Sequence, residues 1–265
     1  VMVHDTIPLD HPHLASSGQP ARFADMISVA GGADLLLCPS HAARTALQAH
    51  LPADAPPTAV APLGVAVPGA DAAALPAPLA ALAEGPFFLA LGTVEPRKNI
   101  GFLLDLWEGA ARGGDPLPPL IVAGARGWAE PALFARLSAV PGVHWAPGLP
   151  DGAVAQLLAR ARALLHPSLA EGFGLPPAEA AALGVPVLAN PLPSLREVLG
   201  EYPVYAAVAD AYAWTGAIRM LGGGGPATRR TPPHLPTWAA HFAAARAAIA
   251  ALPGTEGDRQ AACSG

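Results

Sequence analysis

Residues 165–179 read Leu-His-Pro-Ser-Leu-Ala-Glu-Gly-Phe-Gly-Leu-Pro-Pro-Ala-Glu. An apolar run ends at His166, a loop carrying Gly172 and Gly174 follows, and Pro176-Pro177 opens a helical stretch. A short apolar run bounded by turn residues reads as a buried strand, and proline is tolerated in the first turn of a helix. The stretch is therefore a strand, a glycine loop and a helix start, the unit from which open parallel sheets are built.

Outward from this point the same unit repeats. Residues 87–91, 120–123, 143–146, 163–166, 185–189 and 204–207 form apolar runs that read as buried parallel strands. Between and after them, residues 99–112, 131–140, 151–160, 177–183, 194–199 and 210–221 carry helical periodicity, with Asp151 as an expected cap and Gly184 just past a helix end. The fold class expected is α/β, with a doubly wound parallel sheet of about six strands in this region. Residues 1–63 look similar but sparser: an apolar start at 1–3, helices at 22–30 and 41–50, strands at 35–38 and 58–61. That is half of such a sheet, so a further portion of this lobe is expected beyond Val1, since an open edge is a pairing hazard. The expected organisation is a partial amino-terminal lobe over 1–63, an Ala/Pro-rich linker over 64–86, a complete lobe over 87–225, and a carboxy-terminal helix and tail over 226–265. Gly222–Gly225 reads as a flexible break, and the last helix is expected over 238–251.

Bulk properties narrow the function. The net charge is −5, and the only adjacent basic pairs are Arg97-Lys98 and Arg229-Arg230, so the basic footprint of a nucleic-acid partner is missing. Two cysteines, Cys38 and Cys263, make no disulfide framework. Cys38 lies in an apolar run as a small buried thiol, which suits a reducing cytoplasm. No run of about 18 apolar residues is present, and the start shows no basic leader region, so neither a membrane span nor a signal peptide is expected. Peripheral contact with a membrane stays compatible with these features.

Ligands of open parallel sheets bind at the carboxyl ends of the strands, where helix amino-termini offer N–H donors and a dipole that favour diphosphate. Two carboxylates flanking such a loop, Glu171 and Glu179, are poor phosphate ligands but good acceptors for sugar hydroxyls. Glu-Gly-Phe-Gly-Leu-Pro-Pro-Ala-Glu, with seven residues between its glutamates, resembles the signature of the family-four retaining glycosyltransferases of the GT-B fold. Pro167-Ser168 before it and residues 182–187 after it agree. The resemblance implies a GT-B-like fold of two Rossmann-like doubly wound parallel sheets, the amino-terminal one incomplete in this chain. It implies that Glu171 and the loop Gly172, Phe173, Gly174 and Leu175 hold the donor sugar, and that Glu179 holds the nucleotide ribose.

A second match, residues 91–100, follows a strand and precedes a helix. Arg97 and Lys98 put two cations at a helix start, the end that the helix dipole disfavours, which argues for a functional rather than a stabilising placement. Cations there can neutralise a departing nucleoside diphosphate. The family resemblance makes Lys98 the phosphate lysine. Many members carry arginine directly after the glycine; Thr93 stands there in this chain, which leaves Arg97 as the second cation. The Glu-Pro-Arg-Lys-Asn form most resembles bacterial mannosyltransferases of surface polysaccharide assembly. His4, just after the first apolar run, matches a histidine that in the family contacts the transferred sugar.

Asp10, His11 and His13 fit no zinc spacing, and the family works without a bound metal, so no metal is expected. No cofactor is expected either, the donor substrate being a GDP- or UDP-sugar. A dinucleotide fingerprint is missing around residues 122–128, which resemble the family's glycine turn, so a nicotinamide oxidoreductase ranks low. The activity implied is retaining transfer of a hexose, mannose by resemblance, to a saccharide or lipid-linked acceptor in polysaccharide or glycoconjugate synthesis. His4, Glu171 and Lys98 are the expected catalytic residues. The competing reading is a non-catalytic nucleotide-sugar-binding remnant or a partner subunit. Trp238 opens the last helix, which the resemblance implies crosses back to the first lobe; burial of an indole would explain Trp238 equally well.

Overall fold

The structure, a computed structural model, describes residues 1–67, 69, 75–223 and 228–253. The chain divides into two compact units, one of Val1–Val65, Glu171–Phe173 and Leu235–Gly265, the other of Ala66–Ala170 and Gly174–His234.

In the first unit, β1 (Leu36–Cys38) and β2 (Thr58–Val60) pair in parallel, Leu37 opposite Ala59. Val1–Val3, expected as an apolar start, meets β1 through a single parallel bridge, Met2 to Leu37, with Val3 N donating to Leu37 O at 2.8 Å. Two short turns of helix, α1 (Ile7–Asp10) and a 3-10 turn at Pro12–Leu14, follow where none was expected. Pro8 is the second residue of α1 and Pro12 the first of the 3-10 turn, and the fixed φ of proline suits a helix start. Helix α2 (Gln19–Ala30) begins three residues before the expected position, with Pro20 in its first turn. Helix α3 (His41–Gln48) is capped by Ser40 Oγ, which accepts from Ala43 N at 3.0 Å. The core is Val3, Ile27, Ala30, Leu36, Cys38, Ala43 and Leu47. Burial pushes the Cys38 thiol up to about 11, so the thiol is inert packing. The second cysteine, Cys263, lies outside the described residues.

The second unit is a six-stranded, all-parallel sheet in the order β5-β4-β3-β6-β7-β8. The strands are β3 (Phe88–Leu91), β4 (Leu120–Ala123), β5 (Val143–Ala146), β6 (Leu164–His166), β7 (Val187–Ala189) and β8 (Val204–Tyr205). The α/β class, the parallel sheet and its strand count agree with the sequence. Helix α4 (Ala77–Leu82) lies inside the stretch expected as linker; Pro76 is its cap and Pro78 its second residue, positions that tolerate proline. The remaining helices are α5 (Ile100–Arg112), α6 (Pro131–Ala139), α7 (Asp151–Arg160), α8 (Leu175–Ala182), α9 (Pro193–Leu199) and α10 (Ala211–Gly222). Asp151 is the first residue of α7 and Pro150 its cap, so the expected Asp151 cap is absent. Of the expected break at Gly222–Gly225, Gly222 closes α10 and the last two glycines lie outside the described residues.

This sheet is held by a core with two buried indoles. Trp107 donates Nε1–H to Pro118 O at 3.0 Å and Trp214 donates to Ala206 O at 2.9 Å, so each ring is buried with its one polar atom satisfied. The chain builds β3, β4 and β5 outward to one edge, then crosses back to β6, β7 and β8 on the other side of β3. The order therefore reverses between β3 and β6, and the loops after those two strands diverge there. A crevice for a ligand lies at such a reversal.

Helix α11 (Trp238–Ala250) belongs to the first unit and packs beside β2. His241 Nδ1 lies 3.1 Å from both Ala61 O and Pro62 O. Trp238 is 44% exposed, so burial of the indole does not account for it: the ring lies against Gly64, where a side chain on the glycine would overlap it. The indole ring also lies beside those of His241 and Phe242, with centroids 5.3 Å and 6.0 Å away.

Candidate functional site

The loop after β3 is shaped around Lys98. Gly92 has φ +126°, a conformation that favours glycine, and a Cβ there would lie 3.0 Å from Lys98 Cε. On the other side, any side chain at Gly124 would overlap the Gly92 carbonyl, and one at Gly127 would lie 2.7 Å from Thr93 Cγ2. These small residues let the β3 and β4 loops close together, Val94 N donating to Ala125 O at 2.9 Å. A 3-10 turn at Pro96–Lys98 then ends at Asn99, whose φ of +52° breaks the chain before α5. Lys98 is 8% exposed, its stem packed over Gly92. A cation so placed at the start of a helix gains nothing from the dipole.

Arg97, the expected second phosphate cation, is engaged within the protein. Its guanidinium forms an ion pair with Glu95, 2.6 Å away and itself 4% exposed, and donates from Nη1 to Ala170 O at 3.2 Å. Thr93, half-buried, packs against the glycine turn at 127.

The loop after β6 ends at Gly174, which takes φ +91° and over which the Leu195 side chain closes. That left-handed cap starts α8 at Leu175, two residues earlier than the sequence suggested, so Glu179 is its fifth residue. Of the first three helical positions, two are Pro176 and Pro177, which have no N–H; Leu175 alone supplies a backbone donor. The expected row of helix N–H donors thus reduces to one, and the dipole and loop amides carry the rest of the attraction for an anion.

Glu179 is half-buried in α8. Burial first, and the negative charge of Asp151 second, push its carboxyl up from 4.5 to about 7. A raised carboxyl pKa means that the fold favours the protonated form. Its contribution to stability is therefore fully present below the unfolded value and is lost as pH rises through about 7. An ionised carboxylate accepts ribose hydroxyls more strongly than a protonated carboxyl does, so nucleotide affinity should strengthen between about pH 6 and about pH 8. Calorimetric titration across that range checks this, and Glu179→Gln should flatten the profile.

Glu171, Gly172 and Phe173 belong to the first unit. Gly172 lies so close to the His4 carbonyl that a Cβ would overlap it, and its own carbonyl accepts from Ser40 Oγ at 2.6 Å. Phe173 is buried, Glu171 half-buried and His4 exposed at the end of the Val1–Val3 segment. The structure thus brings His4, Ser40 and Gly172 together. Ser40, fully buried, was not among the expected site residues. Its cap position after β1 was readable, but its bond to a loop more than a hundred residues away was not. Asp10, which with His11 and His13 fits no zinc spacing, bonds His50 Nε2 at 2.7 Å and accepts from Thr6 Oγ1 at 2.6 Å. Among the described residues, no helix is long and apolar enough to cross a membrane.

With this geometry in hand, comparison with known proteins defines the class. The family model "Glycosyl transferases group 1" matches residues 73–220, and the chain belongs to that family. Among similar proteins, the serotype-specific mannosyltransferase WbdA of Escherichia coli is 32% identical over 77% of this chain and 27% of its own length. The O-antigen chain mannosyltransferase B of Escherichia coli is 39% identical over 43% of this chain and 31% of its own. The chain therefore spans under a third of the length of these relatives. Among solved structures, sucrose-phosphate synthase from Thermosynechococcus elongatus matches with TM-score 0.64 at 24% identity, covering 99% of this chain and 68% of that one. Anabaena HepE in complex with UDP-glucose matches with TM-score 0.62 at 20% identity, over 83% and 61%. These likenesses bear out the GT-B-like α/β fold.

Proposed function

We propose that the chain carries the donor-binding part of a retaining glycosyltransferase that moves mannose from GDP-mannose to a hydroxyl of a saccharide or lipid-linked acceptor in surface polysaccharide assembly. The observation that carries this reading is the reversal between β3 and β6, where the Lys98 loop and the glycine loop that opens α8 leave adjacent strands. Lys98 neutralises the diphosphate, Glu179 accepts from the ribose hydroxyls, and Glu171 with the amides of Gly172 to Leu175 holds the sugar. His4 contacts the transferred sugar. In the transfer, the bond from the anomeric carbon to the phosphate oxygen breaks and a bond to the acceptor oxygen forms on the same face. The acceptor's proton passes to the departing phosphate oxygen. No metal or cofactor takes part in this scheme, and the acceptor is met in the cytoplasm or at the membrane surface.

The mannosyltransferase names of the similar proteins favour a transferase over a non-catalytic remnant. Titration of the chain with GDP-mannose and UDP-glucose, followed by assay of sugar transfer to mannose-terminated oligosaccharides, tests the reading. Tight binding of GDP-mannose with turnover is expected. Binding of neither nucleotide sugar overturns it, and binding of UDP-glucose alone overturns the choice of donor.

A further inference from the structure

Four consecutive residues of irregular backbone, 167–170, join β6 to Glu171, and each is tied by a hydrogen bond. Pro167 O accepts from Asn99 Nδ2 at 3.3 Å and Ser168 O from Asn190 Nδ2 at 3.0 Å. Leu169 N donates to Arg97 O at 2.9 Å, and Ala170 O accepts from Arg97 Nη1 at 3.2 Å. Three of the four are buried, Ser168 at 1% exposure. Buried backbone outside helix or sheet needs partners of this kind, and here three side chains on two other loops supply most of them.

The suppliers are themselves fixed. Arg97 is held by buried Glu95, which offsets its charge within the protein. Asn99 is the single non-glycine residue with positive φ among the described residues, a conformation asparagine tolerates, so one residue ends the Lys98 turn and reaches Pro167. Asn190 donates its backbone N–H to His166 O at 3.1 Å and accepts from Val208 N at 3.4 Å.

We propose that Arg97, Asn99 and Asn190 are positioning residues that set the backbone before Glu171, and with it the hold on the donor sugar, while Arg97 makes no contact with phosphate. The proposal rests on the donor reading above. Small displacements of a group that orients substrate cost rate steeply, about a hundredfold for 1 Å. The sugar's share of the affinity should therefore depend on these three residues, and the diphosphate's share should not.

The test compares GDP with GDP-mannose on the full chain by calorimetry, together with transfer kinetics. Three variants serve: Asn99→Gly, which keeps the left-handed turn and removes only the amide; Asn190→Ala; and the double Glu95→Gln/Arg97→Gln, which leaves no buried carboxylate unpaired. Unchanged thermal unfolding of Asn99→Gly serves as the folding reference. Expected are GDP affinities within about twofold of the parent. The extra affinity for GDP-mannose should fall about tenfold, and kcat about a hundredfold. A tenfold loss of GDP affinity confined to the Glu95/Arg97 double variant makes Arg97 a phosphate ligand and overturns the proposal. So does Asn99→Gly with the parent's sugar increment and turnover. Failure of the donor reading is distinguishable, because the unsubstituted chain then binds neither ligand, and the positioning role falls with it.

Discussion

Lys98→Ala should weaken binding of GDP by about 30-fold or more and reduce sugar transfer by at least about a hundredfold. A charge-assisted contact to a diphosphate in a partly dry crevice is worth roughly 1.5–3 kcal/mol in binding, and more as negative charge builds on the leaving group. The packing at Lys98 calls for a companion variant. Its stem fills space over Gly92, so truncation also removes contacts that shape the β3 loop. Lys98→Met keeps that stem and removes only the charge. Both variants should show the same loss. A methionine variant with normal affinity would show that packing, not charge, explains the alanine result, and the phosphate assignment would fall.

The second large effect is expected at Gly172. A methyl group there overlaps the His4 carbonyl and lies 3.0 Å from Asp5 Cβ, and the obstacle is backbone rather than the end of a flexible side chain. Overpacking against backbone costs roughly 1–3 kcal/mol or more, which for a chain of this size corresponds to a fall in Tm of roughly 3–10 °C. The loop must also move away from Ser40, whose hydroxyl holds the Gly172 carbonyl. Gly172→Ala should therefore lose the affinity contributed by the sugar along with stability. Parallel scans of Tm and GDP-mannose binding check this, and an unchanged Tm would contradict the close packing described for the loop.

Much of the second unit could be read from the chain because its strands are short apolar runs between turn residues; residues 120–123 and 143–146 are strands with the expected bounds. Strand order was not readable, since nothing local in residues 163–166 states that they pair with 87–91 rather than with 143–146. The start of α8 was misplaced for a similar reason. Pro176-Pro177 marks a helix start in any context, whereas the left-handed turn at Gly174 depends on Leu195 from another helix. At the site, Lys98, Glu171 and Glu179 stood out through charge in unusual places. Ser40, Asn99 and Asn190 did not, because an asparagine or serine in a loop is ordinary until its long-range partner is known. Arg97 was visible as a charge, and only the structure shows that charge offset by Glu95.

The seam between β3 and β6 has a consequence for how ligand and stability are coupled. The two strands run parallel with Leu89 opposite Leu164, and Leu89 N donates to Ala163 O at 3.1 Å. The sheet is thus two three-stranded ribbons built in opposite directions from one line, and the loops at the carboxyl end of that line are the ones assigned to the donor. A bound nucleotide spanning them ties one ribbon to the other. At a hundredfold excess over Kd such a ligand adds about 2.7 kcal/mol to the folded state. Protection of amide hydrogens should then spread from the seam into both ribbons, rather than staying with the residues that touch the ligand.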